Sequence, residues 1–530
     1  ELIRISSKAD AGMEELQKDP EYMSEEELQK QIAKIMKKMN LLVMSLVSAA
    51  ALSFSSCSNN DDLGGGAGTQ SQVKGFYMTL AVQTPTSNGT RTAQSNETAA
   101  TAAESDVTSG TLYLVDAKGE VAFSKNISAA EWEASKIPTQ GQTGKTQIQI
   151  QVEKVAAGAT YKVYFLANTT DLKPWENIIT ATSKFANPFV NTNNFAMFNQ
   201  NDATVDGNGY TVEFTDANKE ITTPAQVIYD KKTSPIKIER IAARIDEPNS
   251  ASNKITGYVG TNATEAEKRA MADALDKVQG LELTRYAISN LANQSYIMQK
   301  WADATTLTIP SGTGFTYYNP AAEFGSEKKF ENADLFTAAT AAFAHKDYVF
   351  ENNSSTSPST MYFEYKVTLK DMTNADFPDG TFYRYNNVIY KSFADILKAY
   401  KDVAGLFKSQ TADQLKAELA KAKEVETGEG AVDVETKLAN FRAKYDIEVF
   451  NEGKTYYKQV IQDQYLKVDK ELIPNVIQRN SIYQLTVNNI FNIGAQVPNG
   501  KIDENALFYL DVTVSVNPWV LNSQNVSLGE

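Results

Sequence analysis

Hydrophobic and polar residues alternate along much of the chain. In FYMTLAV, Phe76, Met78, Leu80 and Val82 fall on one side, and Tyr77, Thr79 and Ala81 on the other. QIQIQV sets Ile148, Ile150 and Val152 against three glutamines, and LDVTVSV sets Leu510, Val512, Val514 and Val516 against Asp511, Thr513 and Ser515. A period of two puts each set on one face of a half-buried antiparallel strand. YKVYFLAN (Tyr161–Asn168) and IKIERIAARI (Ile236–Ile245) read as further strands. Many separated strands of this kind predict a mainly β chain built from β-sandwiches.

Helical periodicity enters as insertions. Thr264 is placed to cap EAEKRAMADALDKV, and Ser392 opens FADILKAYKDV. Thr411 and Gln414 have capping-box spacing ahead of LKAELAKAK, and Glu435–Tyr445 is helical again, so a helical excursion over 392–445 is expected between strands. NNSSTSPST (352–360) reads as a loop. The break between two domains is placed earlier, near residue 335, giving an N-terminal domain over 92–335 and a C-terminal one over 336–530.

One apolar stretch fits neither pattern. Leu41–Ser56 is apolar or small, follows the basic Met36-Lys37-Lys38-Met39, and ends at Cys57. At about sixteen residues it is short for a membrane span and suits the apolar region of a signal peptide. With Ser55 and Ser56 before the cysteine, 36–56 reads as a lipoprotein signal, cleaved before Cys57 and followed by acylation of that thiol. The plainer alternative is a buried free cysteine in a core helix. SNNDDLGGGAG then serves as a tether that cannot build a core, and Ser58, Asp61 and Asp62 resemble the acidic surface-export signal of Bacteroidetes lipoproteins. Residues 1–35 precede the signal and read as a non-native or mis-called N-terminal extension, a start called too early or a fused fragment, with initiation expected at Met36 or Met39, and are set aside.

Composition narrows the chemistry. The formal net charge of −14 argues against a sequence-independent nucleic-acid binder. Cys57 is the single cysteine and His345 the single histidine of the chain. That excludes an intrachain disulfide, a Cys-rich or two-histidine metal motif, and a Ser-His-Asp triad. No pair of carboxylates is brought together by spacing, and His345 in AAFAHKDY reads as a structural or surface residue. No catalytic residue, metal or cofactor is expected, and the chain is not read as an enzyme.

Several segments, taken in order, carry a likeness. They are YKVYFLAN ending in Asn168; IERIAARI with Arg240, Ala243 and Arg244; YVFEN (Tyr348–Asn352); GTFYRYNNVIYKSFADI (Gly380–Ile396); RNSIYQLTVNNIFNIG (Arg479–Gly494); and VNPWVLNSQNVSL near the C-terminus. From Cys57 onward the chain resembles the Bacteroidetes-type (type V) fimbrillins, and among them the shaft subunits of short fimbriae. The resemblance implies two transthyretin-like antiparallel β-sandwich domains with helical insertions. It also implies an outer-membrane lipoprotein precursor, cut by an arginine-specific protease and destined for cell-surface fimbriae that serve adhesion. The candidate scissile bond is Arg91–Thr92 in PTSNGTRTAQSNET, a polar stretch of the kind proteases nick; as a plain sequence it is also compatible with an ordinary exposed arginine.

Cleavage there would detach residues 57–91, which hold the lipid anchor and the strand carrying Phe76, Met78, Leu80 and Val82. The groove left behind is a template for a strand from another chain. The candidate donor is the C-terminal segment with Trp519, Val520, Leu521, Val526 and Leu528; Trp519 is equally readable as a core anchor of its own domain. Head-to-tail donation does not close and yields a filament. The expected partners are identical subunits, tip and anchor fimbrial proteins, the arginine-specific protease, and the outer membrane before cleavage. The rival readings are an anchor or tip subunit, or a non-polymerising adhesin or glycan-binding lipoprotein. In the last, the Tyr-rich run Phe382–Tyr390 offers aromatic platforms rather than cross-strand pairs of a hairpin.

Overall fold

A computed structural model describes residues 75–83, 104, 106–135, 145–169, 178–181, 190–191, 194–199, 209–302, 306–316, 336–340, 344–461, 476–498 and 510–518. Over these residues the chain is mainly β, with several sheets and scattered helices.

The N-terminal group of sheets is built on five strands: β1 (Phe76–Gln83), β2 (Gly110–Val115), β3 (Val121–Ile127), β4 (Lys145–Val152) and β5 (Thr160–Ala167). β2 lies between β3 and β5, antiparallel to both. Thr211–Glu213 continues that sheet on the far edge of β5. β1 belongs to a second, mixed sheet with β4. The inward side chains of both sheets share one apolar core, which holds Met78 and Leu80 together with Leu112, Leu114, Val163 and Phe165. Trp132, on a short helix capped by Ser128, stacks on Phe165 at 5.4 Å and closes one end.

The C-terminal group has its own core. Ser481–Ile490 pairs antiparallel with Leu510–Pro518, and parallel with Ala243–Asp246 and Asn249–Ser250. Lys346–Val349 lies outside Ala243–Asp246. A second sheet runs through Val278–Ser289, Thr360–Leu369 and Lys454–Val460. Ile245, Leu281, Phe363, Tyr365, Tyr457 and Leu485 are buried together here.

Two expectations change. The buried apolar residues are not divided near 335: up to Ala242 they belong to the first core and from Ala243 mostly to the others, with Ala292, Ile297, Phe350 and Ile482 still in the first. A division at 335 would part Val278–Ser289 from Thr360–Leu369, its partner from Val278↔Leu369 to Ser289↔Thr360. IKIERIAARI is also three short strands, not one. Ile236–Lys237 pairs with β1, Glu239–Arg240 with Met197–Phe198, and Ala243–Asp246 with the C-terminal group. Burial alternates from Ile236 to Arg240 and then stops alternating: Ile241–Ile245 are all buried where the chain passes from one core to the next.

The helical excursion forms as the caps predict. Thr411 and Gln414 make a reciprocal capping box, as do Thr264 and Glu267, and the Ser392 hydroxyl accepts from the Asp395 amide. Its helices bury Phe393, Leu415, Leu419, Leu438 and Phe441 against one another. The Tyr-rich run is a hairpin, Phe382–Tyr385 paired with Val388–Tyr390. Asn386 and Asn387 take φ of 48° and 61° at its two-residue turn, the geometry that matches strand twist. Phe382 stacks on Phe450 at 4.6 Å and Tyr383 on Phe393 at 4.2 Å, so these two rings are core, not platforms.

Candidate functional site

The alternation in β1 translates directly into burial. Phe76, Met78, Leu80 and Val82 point inward and are 8%, 0%, 0% and 1% exposed. Phe76 tilts against Phe214 at 5.4 Å, with the Lys219 ammonium 5.5 Å from its ring centre. The outward side is polar: Thr79, Gln147, Gln149, Pro224 and Gln226 line an open depression there. Gln226 Nε2 donates to Thr79 Oγ1 at 3.1 Å. The chain enters closely packed, since a Cβ on Gly75 would meet the carbonyl oxygen of Val152 at 3.0 Å.

β1 is an interior strand. β4 takes one edge along its whole length, from Phe76↔Val152 to Gln83↔Lys145, running antiparallel. The other edge is taken in parallel by Ala225–Gln226 at Met78 and Thr79, and by Ile236–Lys237 at Val82 and Gln83. The Ile238 amide adds a bond to the Gln83 carbonyl at 3.1 Å. Taking β1 out would therefore leave a slot between β4 and the two short pieces Ala225–Gln226 and Ile236–Lys237, lined by apolar side chains and by unmade backbone bonds on both sides. Burying four such side chains is worth roughly 6–12 kcal/mol at about 1.5–3 each.

Of the other sequence candidates, Cys57, Arg91, Thr92, Trp519, Val520, Leu521, Val526 and Leu528 lie outside the described residues. Leu510–Pro518, by contrast, is an in-domain strand, in register with Ser481–Ile490. His345 is exposed; its backbone amide donates to the Glu247 carboxylate at 3.1 Å.

A buried charge cluster was not anticipated. Glu104 is 2% exposed and is the first described residue after Gln83. Its carbonyl accepts from Arg240 Nε at 2.6 Å, and its carboxylate from Arg244 Nη1 at 2.9 Å. Burial pushes the fully enclosed Arg240 guanidinium down to about 9, against the opposing pull of Glu104, so it remains charged at neutral pH. Gln83 and Glu104, the residues that bracket Arg91 in sequence, are thus both held by the Ile236–Asp246 segment. A second such contact is Arg479 with Glu351, 2.8 Å apart and both enclosed, where Arg479 also donates to the carbonyls of Tyr296 and Ile297. The available signal was the presence of arginines inside apolar runs, where a charge must find a partner.

Two family descriptions match the chain. Residues 76–240 match the major fimbrial subunit protein (FimA), and residues 448–525 match the C-terminal part of fimbrillin, the major fimbrial subunit protein type IV. Among solved structures, the chain is similar to a fimbrilin (fimA) from Porphyromonas gingivalis W83 at 14% identity and a TM-score of 0.40, covering 85% of this chain and 100% of that one. It is similar to a candidate cell adhesion protein from Parabacteroides distasonis ATCC 8503 at 14% identity and a TM-score of 0.43, covering 85% and 99%. No curated protein sequence matches the chain.

Proposed function

We propose, from the premise that the chain belongs to the fimbrillin family of major fimbrial subunits, that β1 is a removable guard strand whose place is taken by the C-terminal segment of a neighbouring subunit. The chain is a structural, non-catalytic subunit of cell-surface fimbriae that take part in adhesion. What remains to be explained is how one subunit joins the next.

The observation that carries the reading is the placement of β1. It is amphipathic, interior, and bonded on both edges, yet it is joined to the rest of the body only through the stretch that contains Arg91. Uncut, it fills its own slot and the subunit stays monomeric. Cut at Arg91–Thr92 by an arginine-specific protease, it becomes a separate fragment that a competing strand can displace. The incoming strand regains two ladders and the apolar lining together, so the joint resists dissociation. Each subunit accepts at one site and donates from another, which propagates head to tail into a filament of identical subunits ending in tip and anchor proteins.

In this reading the two groups of sheets are two transthyretin-like sandwiches. Residues 36–56 are the signal, and acylated Cys57 holds the precursor in the outer membrane until the cut releases it. The donor begins after Pro518, because Leu510–Pro518 is already paired within its own domain. Arg91→Ala tests the scheme. The variant is expected to accumulate as a longer, membrane-held monomer; filaments of normal length made from it would sink the idea.

A further inference from the structure

Three motifs that strand replacement leaves without a role converge on one short piece of chain, and a fourth braces one of them. Asn168, the end of YKVYFLAN, has a left-handed backbone with φ of 61°. Its Nδ2 donates to the Asp106 carbonyl at 2.9 Å, and its Oδ1 accepts from the Thr108 amide at 2.8 Å. Its own amide donates to the Ser109 carbonyl at 3.0 Å. Arg240 and Arg244 of IERIAARI hold Glu104 through its carbonyl and its carboxylate. Tyr348 of YVFEN donates to the same carboxylate at 3.0 Å, and Asn480 of RNSIYQ accepts from Arg240 Nη1 at 3.0 Å. The held residues, Glu104 and Asp106–Ser109, lead directly into β2.

We propose that these side chains form an anchor for the head of the mature chain, keeping Glu104 and Asp106–Ser109 in place while β1 departs, so that its loss does not spread into β2. The proposal rests on the removal of β1 argued above. The physical contrast is between two kinds of contact. β1 is held inward by apolar side chains alone, which any apolar strand of the right period can replace. Glu104 is held by buried cations and a phenol. Withdrawing it would take the carbonyl acceptor from the enclosed Arg240 and leave Arg244 with Asp246 as its remaining carboxylate partner, a loss of buried polar bonds that exchanging one apolar strand for another does not incur. Asn168 meets Asp106 and Thr108 with a geometry that a generic strand cannot reproduce. The residues that hold Gln83 (Lys237 and Ile238) and Glu104 (Arg240 and Arg244) lie a few positions apart on one segment, so without the anchor, disorder starting at the end of β1 would reach β2. Asn168 and Glu104 are thus positioning residues, marking where the exchangeable part of the chain stops.

Hydrogen exchange on the full chain tests this, before and after treatment with an arginine-specific endoprotease. Asn168→Gly suits the left-handed backbone and deletes only the side-chain bonds; Glu104→Gln keeps the shape and removes the charge. In the uncut variants, amides at 106–109 are expected to exchange at least about ten-fold faster than in wild type, while 110–115 and 360–369 are unchanged. After the cut and loss of β1, wild type should keep 110–115 protected and the variants should lose it. A merely structural part would not make the loss at 110–115 depend on the cut. Unchanged exchange at 106–109 in both variants, or equal protection of 110–115 after the cut, overturns the anchor. Failure of the protease to cut between Gln83 and Glu104 overturns the maturation reading instead, and the uncut comparison then decides the anchor alone.

Discussion

Thr79 and Gln149 stand directly opposite each other in the antiparallel ladder between β1 and β4, on the face turned away from the apolar core. Opposed residues of this kind have Cβ atoms about 4.5–5.5 Å apart, close to the span of a disulfide. Thr79→Cys with Gln149→Cys, in a Cys57→Ala background, should therefore lock β1 into its slot under oxidising conditions. The locked subunit should be cut at Arg91 as readily as wild type and yet remain monomeric. Reduction should start assembly. Polymerisation of the oxidised, cut protein would show that β1 need not leave.

Leu80 is fully enclosed in the uncut subunit. Leu80→Ala should destabilise the precursor by about 2–5 kcal/mol, the usual cost of such a truncation. In filaments the substituted strand is gone, so their resistance to denaturant should match wild type. Measuring urea unfolding of the precursor beside urea dissociation of filaments checks both halves. An equal loss in the two would mean that β1 stays in the assembled subunit.

If residues 519–528 are donated as an extended strand, Trp519 and Leu521 would share one face and Val526 and Leu528 the other, because Leu521 and Val526 are an odd number of positions apart. A straight strand cannot turn all four inward, so the two pairs are expected to dock separately. Deleting residues 522–530 should spare folding, since Leu510–Pro518 keeps its partner, but stop assembly. A peptide spanning 519–528 should bind and cap the cut monomer, leaving the uncut precursor untouched. Light scattering on the truncated subunit reads the outcome, and normal filament growth from it would place the donor elsewhere.

The sequence made the half-buried elements plain. β1 and β4 alternate because one face meets a core and the other meets solvent, and Thr264, Ser392 and Thr411 announce their helices through local caps. What it hid is non-local. The crossing at Ile236–Asp246 looks like one strand because Ile236, Ile238 and Arg240 alternate with Lys237 and Glu239 at its start; only its three separate partners reveal the seam. The pairing of Val278–Ser289 with Thr360–Leu369, which spans residue 335, is likewise a long-range relationship that local composition does not carry. Glu104 sits in an unremarkable polar tract, TAAESDV, and gains meaning only from arginines more than a hundred residues away. The interior position of β1, on which the proposed function turns, depends on Ala225–Gln226 and Ile236–Lys237, pieces too short to carry a periodic signal.

The central claim, that β1 is cut away and replaced, is met most directly by intact-mass measurement of subunits recovered from surface filaments. The account predicts chains that begin at Thr92, carry no acyl group, and are accompanied by no fragment containing Phe76–Gln83. Filament subunits that begin at an acylated Cys57 and retain Phe76–Gln83 would contradict it.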